Sequence, residues 1–271
     1  MARSPGAGLR TLRGGFRHLA LGDVGSTNVE AFECARAGDP GGLWVTAERQ
    51  LAGRGRRGRP WVSEKGNLYA TALLIDPCPA ERLAELPLVA AVAVHRAIRA
   101  AAGPALGREV AIKWPNDTLV RGRKASGILL ETNRLDGGAL AVAIGYGINC
   151  AHYPAVSETP ATSLLQEGVS IFPEQILDLL AEALSDTLAV WDGGRGFGEI
   201  RAAWMAAVHG VGRPIRVRLV DRELNGVFAA LDEQGRLVLD LGDGTRMTIS
   251  AGDVFFPATA TETPVTTGGT L

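Results

Sequence analysis

Two stretches of this 271-residue chain hold residues whose types and spacing suit chemistry on an anion. The first is Gly53-Arg54-Gly55-Arg56-Arg57-Gly58-Arg59-Pro60-Trp61, four arginines interleaved with three glycines and closed by an indole. Glycine reaches φ > 0 without a Cβ clash, so such a loop can fold tightly round a small anion. Arginine adds a planar, permanently charged fork that matches carboxylate and phosphate oxygens. No apolar residue lies between Gly53 and Arg59 to anchor the loop, which is therefore expected to be mobile until a ligand supplies the anion. On composition alone the run reads more readily as a solvated loop or a nucleic-acid patch. The second stretch is Lys113-Trp114-Pro115-Asn116-Asp117, followed by Arg123-Lys124 and Gly127. Two lysines and an aspartate gathered at strand ends suit a triphosphate with its magnesium, lysine as point charge and aspartate as metal or water ligand. A hairpin of surface charges has the same composition, and that reading serves better for Arg121 and Arg123.

Taken together, the two stretches resemble the biotin protein ligases. That family's Gly-Arg-Gly-Arg-x-Gly-Arg loop and its Lys-Trp-Pro-Asn-Asp segment are both present in full. The similarity runs from about Phe16 into the C-terminal region. It implies activation of biotin by ATP to biotinyl-5′-AMP, with Mg2+, and transfer of biotin to a lysine of a biotin carboxyl carrier protein or domain. It further implies a biotin pocket built from Ser26, Thr27, Asn28, Gln50, Gly53, Arg54, Gly55, Arg56, Lys124, Gly127 and Gly145. Arg59, Trp61, Lys113, Asn116, Asp117 and Asn149 fall on the ATP side, Trp61 as a face for adenine and Asp117 beside the metal. Lys124, on the carboxylate and α-phosphate oxygens, and Arg56 are the expected catalytic residues.

Read without the family, several of these residues have plainer meanings. Ser26-Thr27 opens a helix, with Thr27 and Glu30 spaced as a capping box. Gln50 is a loop amide that could pair both the C=O and the N–H groups of a cyclic urea. Gly145-Tyr146-Gly147-Ile148-Asn149 ends a strand and allows close backbone approach to a ligand. No serine, cysteine or histidine constellation suggests a protein nucleophile, which fits catalysis by positioning and electrostatics.

The remaining elements must hold these groups in place. Alternating or short apolar runs predict strands at 16–21, 43–47, 67–75, 109–114, 118–120, 128–132 and 139–144. An Ala-rich helix is expected over 87–102, with Pro87 at its first turn. A second, over 173–191, repeats Ile176, Leu180, Leu184, Leu188 and Trp191 at helical spacing, and a short one follows over 199–208. From Gly212 the texture changes to short strands at 215–220, 224–231, 237–241 and 247–249. The expected fold class is α+β. A mixed β-sheet with helices on one face spans 16–209, the class II synthetase-like fold that the resemblance implies. A small SH3-like β-barrel follows over 210–257. Residues 1–15 read as a disordered leader and 258–271 as a disordered tail.

Composition narrows the function classes. A net charge of −1 argues against a general nucleic-acid binder. No uninterrupted apolar run reaches membrane-spanning length. Cys34, Cys78 and Cys150 are far apart and odd in number, so they read as buried thiols of a reducing compartment. His95 has no partner at metal-ligand spacing. About fifteen residues precede the first expected strand, too few for a helix-turn-helix module, so the sequence reads as the ligase-only type without specific DNA binding. A cytoplasmic location follows, and a homodimer stays open. Two rivals remain, a lipoate-type acyl-adenylate ligase and a non-enzymatic nucleic-acid binder.

Overall fold

In a computed structural model, which describes residues 9–257, the chain folds round two sheets. The tail expected at 258–271 and the first eight residues of the expected leader lie outside the described residues. Residues 9–15 correct the leader reading: β1 (Arg10–Thr11) pairs with β2 (Arg17–Val24), and Leu12 is buried. A short leader can order because Leu12 and Phe16 join the core.

After β2 come α1 (Thr27–Arg36), β3 (Leu43–Gln50), β4 (Leu68–Ile75), α2 (Leu86–Leu106), β5 (Val110–Lys113), β6 (Asp117–Val120), β7 (Arg123–Arg134) and β8 (Leu140–Ile148). Then follow α3 (Pro173–Trp191) and α4 (Phe197–Ala206). The first sheet runs β1-β2-β3-β4-β8-β7-β6-β5. It is mixed because β2 and β3 are parallel across α1, whereas its other pairs are antiparallel.

Strand alternation sends two sets of side chains to opposite faces. Trp44, Leu68, Ala70, Ala72, Val142 and Ile144 enter the main core with α2, α3 and α4. Leu43, Val45, Leu73 and Ala141 form a second cluster with Ala31 and Ala35 of α1. Three helices thus lie on one face, while α1 covers the other. The reason is legible in β4, which is buried at seven consecutive positions and so needs cover on both sides. α2 is apolar enough to match a membrane span, but its residues from Leu86 to Ile98 are mostly buried against the sheet and the other helices. Of the three cysteines only Cys150 is buried; Cys34 and Cys78 are half-exposed.

The second sheet comprises β9 (Pro214–Arg218), β10 (Glu223–Leu231), β11 (Leu237–Asp240), β12 (Arg246–Ile249) and β13 (Asp253–Phe255). All its pairs are antiparallel, in the order β12-β11-β10-β9-β13. This is the SH3-like element expected from the short alternating strands. The fifth strand was not foreseen. Asp253 pairs with Arg218, Val254 with Val217 and Phe255 with Arg216, which carries Asp253 to the edge of the first sheet's cavity.

Candidate functional site

On the α1 face of the first sheet, glycines make a floor. Gly145 and Gly147 share a face because strand side chains alternate. Across the strands, Tyr69, Gly147, Gly127 and Asp117 form one row, and Thr71, Gly145 and Leu129 the next. The missing side chains are filled by neighbours. A Cβ at Gly147 would lie 2.5 Å from indole carbons of Trp61, and one at Gly145 would lie 2.4 Å from Asn28 Oδ1. Above this floor is a cavity of about 450 Å³, within the range of small-molecule sites. Every residue assigned above to biotin or ATP lines it except Gly53.

The N-terminus of α1 forms one wall. Its N-cap is Ser26, whose own side chain makes no capping hydrogen bond, and the expected capping box is absent. The first-turn amide is taken by another element instead. Thr27 N–H donates to Gln50 Oε1 at 2.9 Å, which fixes the Gln50 amide at the end of β3. Its Nε2 keeps only a 3.4 Å contact to Ser63 Oγ. Thr71, fully buried, donates its hydroxyl to Asn28 Oδ1 at 2.6 Å. Asn28 Nδ2 donates to Glu131 Oε2 at 2.8 Å, so the Asn28 amide braces the wall instead of standing free.

The arginine loop closes on itself through Trp61 N–H to Gly53 O at 2.9 Å and Gly55 N–H to Arg59 O at 2.7 Å. Only Gly58 uses the positive φ expected of the glycines, at 71°, and Arg57 beside it is at 56°. Gly53 is required for a different reason: a Cβ there would meet Trp61 O at 2.8 Å. Contrary to the anchor-free reading of the loop, Asp253 holds three of its arginines. Arg56 and Arg57 reach it at 3.1 Å and Arg59 at 3.0 Å. Burial pushes the Asp253 carboxyl up, but Arg59, Arg56 and Arg57 together outweigh it and hold it below its ordinary value. Arg56 also donates to Asn116 Oδ1 at 2.9 Å, and its burial lowers the guanidinium's pKa. Arg54 points elsewhere, 3.6 Å from Glu131.

The lysine segment forms the opposite wall. Lys124 Nζ is 2.6 Å from Asp117 Oδ1 and 5.4 Å from the centroid of the Trp61 ring. Lys113 is buried, 3.1 Å from Thr159 Oγ1, and burial lowers its pKa against the pull of Asp117. Trp61 packs on Gly147 and Gly127, and its buried indole N–H has no hydrogen-bond partner among the described residues. The two asparagines assigned to the nucleotide spend their amides on the protein. Asn116 bridges Arg56 and Ile128 O, while Asn149 Nδ2 donates to Thr162 O at 3.0 Å. Both still line the cavity.

Among the described residues no group of three His, Cys, Asp or Glu side chains could hold a metal on its own. Asp117 offers one carboxylate, the kind of donor Mg2+ takes when phosphate oxygens and water supply the rest. Asp253, Glu158, Thr159 and Phe255 also line the cavity and were missed in the sequence. The only signal for Asp253 was an acid beside Val254-Phe255, just past the last expected strand.

The mixed sheet, the arginine loop and the terminal antiparallel sheet are arranged as in the biotin and lipoate ligase class, which the chain's family matches define. Two family models match the chain: "Biotin/lipoate A/B protein ligase family" over residues 31–149, and "Biotin protein ligase C terminal domain" over 210–256. A biotin–[acetyl-CoA-carboxylase] ligase of Paracoccus denitrificans is 43% identical over 242 residues, covering 87% of this chain and 99% of that protein. A biotin protein ligase from Aquifex aeolicus, solved with biotin and ATP, aligns at a TM-score of 0.71 and 27% identity over 88% of this chain and 97% of its own. A Leishmania major biotin protein ligase holding biotinyl-5-AMP aligns at 0.59 and 27% identity, over 86% and 98%. The chain belongs to the biotin protein ligase family.

Proposed function

We propose that this enzyme makes biotinyl-5′-AMP from biotin and ATP on the glycine floor and passes the biotin to a lysine of a carboxylase carrier domain. The observation that carries this reading is a single cavity lined both by Ser26, Thr27 and Gln50 and by Arg56, Lys113 and Lys124. A cyclic urea needs paired donors and acceptors, and a carboxylate meeting a triphosphate needs positive charge.

In the first step a biotin carboxylate oxygen attacks the α-phosphorus. The new O–P bond forms as the bond to the bridging oxygen breaks, and pyrophosphate leaves with that electron pair. Negative charge gathers where three anionic groups meet, so fixed cations are the main catalytic resource. Lys124 takes the carboxylate and α-phosphate oxygens, its ion pair with Asp117 giving way to the ligand. Arg56 closes over the adenylate and Arg59 faces phosphates, both released from Asp253 by the stronger anion. Asp117 would hold Mg2+, which when bound would supply charge neutralisation to the phosphates. Trp61 borders the nucleotide and offers its indole N–H, unpaired among the described residues. In the second step the neutral amine of the acceptor lysine attacks the carbonyl carbon, the C–O bond to AMP breaks, and the nitrogen loses a proton. No protein nucleophile is needed.

Lys124→Ala tests the assignment. Single-turnover adenylate formation should fall by about 10²-fold or more, the scale of removing one transition-state charge. Biotin affinity should change only modestly, since charge that develops later does not bind the ground state. A folded variant with a near-wild-type rate would show Lys124 to be a bystander.

A further inference from the structure

Lys124 occupies an irregular place in its strand. The β6–β7 ladder pairs Thr118 with Ser126 but Leu119 with Lys124, so Ala125 is an extra residue. Such a bulge breaks pairing and re-aims the neighbouring side chains. On the other side β8 ends at Ile148, opposite Ser126, and gives Lys124 no partner. The irregular segment between β8 and α3 takes that place. Lys124 N–H donates to Pro160 O at 2.7 Å, and Lys124 C=O accepts from Thr162 N–H at 2.9 Å. The result is a parallel bridge opposite Ala161.

What holds this segment down is a carboxylate taken wholly out of water. The Glu167 side chain is 0% exposed. Its Oε1 accepts from Arg123 Nη2 at 2.6 Å and from Thr162 Oγ1 at 2.5 Å, and Arg121 lies 3.5 Å from Oε2. Burying a carboxylate is unfavourable unless partners surround it; Oε2 makes no hydrogen bond among the described residues, so the Oε1 bonds to Arg123 and Thr162 carry the restraint and fix those two partners in turn. A closed ring results: Arg123 to Glu167, Glu167 to Thr162, Thr162 to the Lys124 carbonyl, and Lys124 back to Arg123 through their peptide bond. Asn149 ties the same segment from within, through its amide to Thr162 O and its carbonyl to Leu164 N–H. Neither Glu167, Arg123 nor Thr162 lines the cavity.

We infer that Glu167 is a positioning residue, holding the backbone of residues 160–162 against Lys124 so that the bulged strand keeps its ammonium aimed into the cavity. The inference rests on the role of Lys124 proposed above. It assigns a task to Arg123, whose charge otherwise reads as surface decoration.

Glu167→Gln keeps the shape and removes the charge; Thr162→Val removes the hydroxyl that Glu167 accepts and leaves the backbone bond. Each is made in the full chain. Three quantities are measured: single-turnover adenylate formation, biotin affinity without ATP, and amide hydrogen exchange. In Glu167→Gln the Lys124 and Thr162 amides should exchange at least ~10-fold faster while β4 and α2 amides do not change, as expected of a local opening. The adenylation rate should fall by ~10- to 10²-fold, the cost of misplacing a group by about 1 Å, with biotin affinity within about twofold. Thr162→Val should repeat the pattern more weakly, and it carries the test alone if Glu167→Gln does not fold. Unchanged exchange at Lys124 overturns the inference. So does faster exchange with a wild-type rate, or equal loss of biotin affinity, rate and thermal stability, which is the mark of a mere staple. A wild-type rate in Lys124→Ala with the exchange effect intact would instead refute the role of Lys124 and leave the ring standing.

Discussion

A methyl group added at Gly147 would fall 2.5 Å from indole carbons of Trp61 and 2.7 Å from its Nε1. Those atoms cannot yield by bending a flexible tail, because Trp61 is itself tied to Gly53 through its backbone N–H. Gly147→Ala should therefore lift the indole off the floor. We expect a shift in tryptophan fluorescence and at least ~10-fold weaker adenylate binding, about the 1.4 kcal/mol of one good contact, with the fold intact. An unchanged emission spectrum and affinity would show that the floor tolerates a side chain. The adjacent test is Gly145→Ala, which drives a Cβ to 2.4 Å from Asn28 Oδ1 and should weaken biotin binding, measured by calorimetry, more than ATP binding. The Gly-x-Gly spacing was readable as a place of close approach. Which group approaches was not, because Trp61 and Asn28 come from elements distant in the chain. Residue identity announces that space is needed, and only the fold says for what.

At the scale of elements, the arginine loop shows how a long-range contact hides. Its chemistry was evident in four arginines, but its anchor lies in β13, a three-residue strand with too short a repeat to register as one. Exposed ion pairs contribute less than about 1 kcal/mol each. Arg57 and Arg59, with side chains 34% and 46% exposed, are therefore minor ties. Arg56, 22% exposed against Asp253 at 10%, is the pair that decides. Asp253→Asn should release the loop in the free enzyme, speeding tryptic cleavage after Arg56 and Arg57 several-fold. Biotin with ATP should slow the cut in both proteins, because the ligand replaces the lost anion. Equal cleavage of free wild type and variant would mean the loop is held by something else. The acid dependence has a definite sign. The folded-state carboxyl lies below its ordinary value, so the tie is complete at neutral pH and is lost only as pH falls through that lowered value. The α1 cap was misread for a related reason: the Thr27 amide that a local capping box would use is claimed by Gln50 from β3. Local pattern proposes a partner, and tertiary structure outbids it.

Across the whole molecule, the readable features were those with long periodicity. The helix over 173–191 forms over that span because its apolar face repeats for five turns, and the strands of both sheets largely fall where alternation put them. Covering both faces of β4 was less visible, since a continuous apolar run does not say which helix packs on which side. The same core sets a pH limit on stability. His95, in α2, is buried and donates its Nε2–H to Val110 O at 3.1 Å; burial drags its pKa to about 4. Between its ordinary value and about 4, the unfolded chain takes up a proton that the native protein refuses, so stability should fall as pH drops through that window. His95→Gln should flatten this part of the urea-midpoint profile, and parallel profiles for the two proteins would exclude His95 as the cause. Gly127, Gly145 and Gly147 line one cavity, the proposed place where biotin is joined to ATP. The most direct test of that proposal is isotope exchange between pyrophosphate and ATP by the purified chain with Mg2+, run with biotin, with lipoate and with neither. Exchange is predicted with biotin but not with lipoate or with neither acid, and lowered about 10²-fold or more in Lys124→Ala; exchange equally supported by lipoate, or absent with biotin, would contradict it.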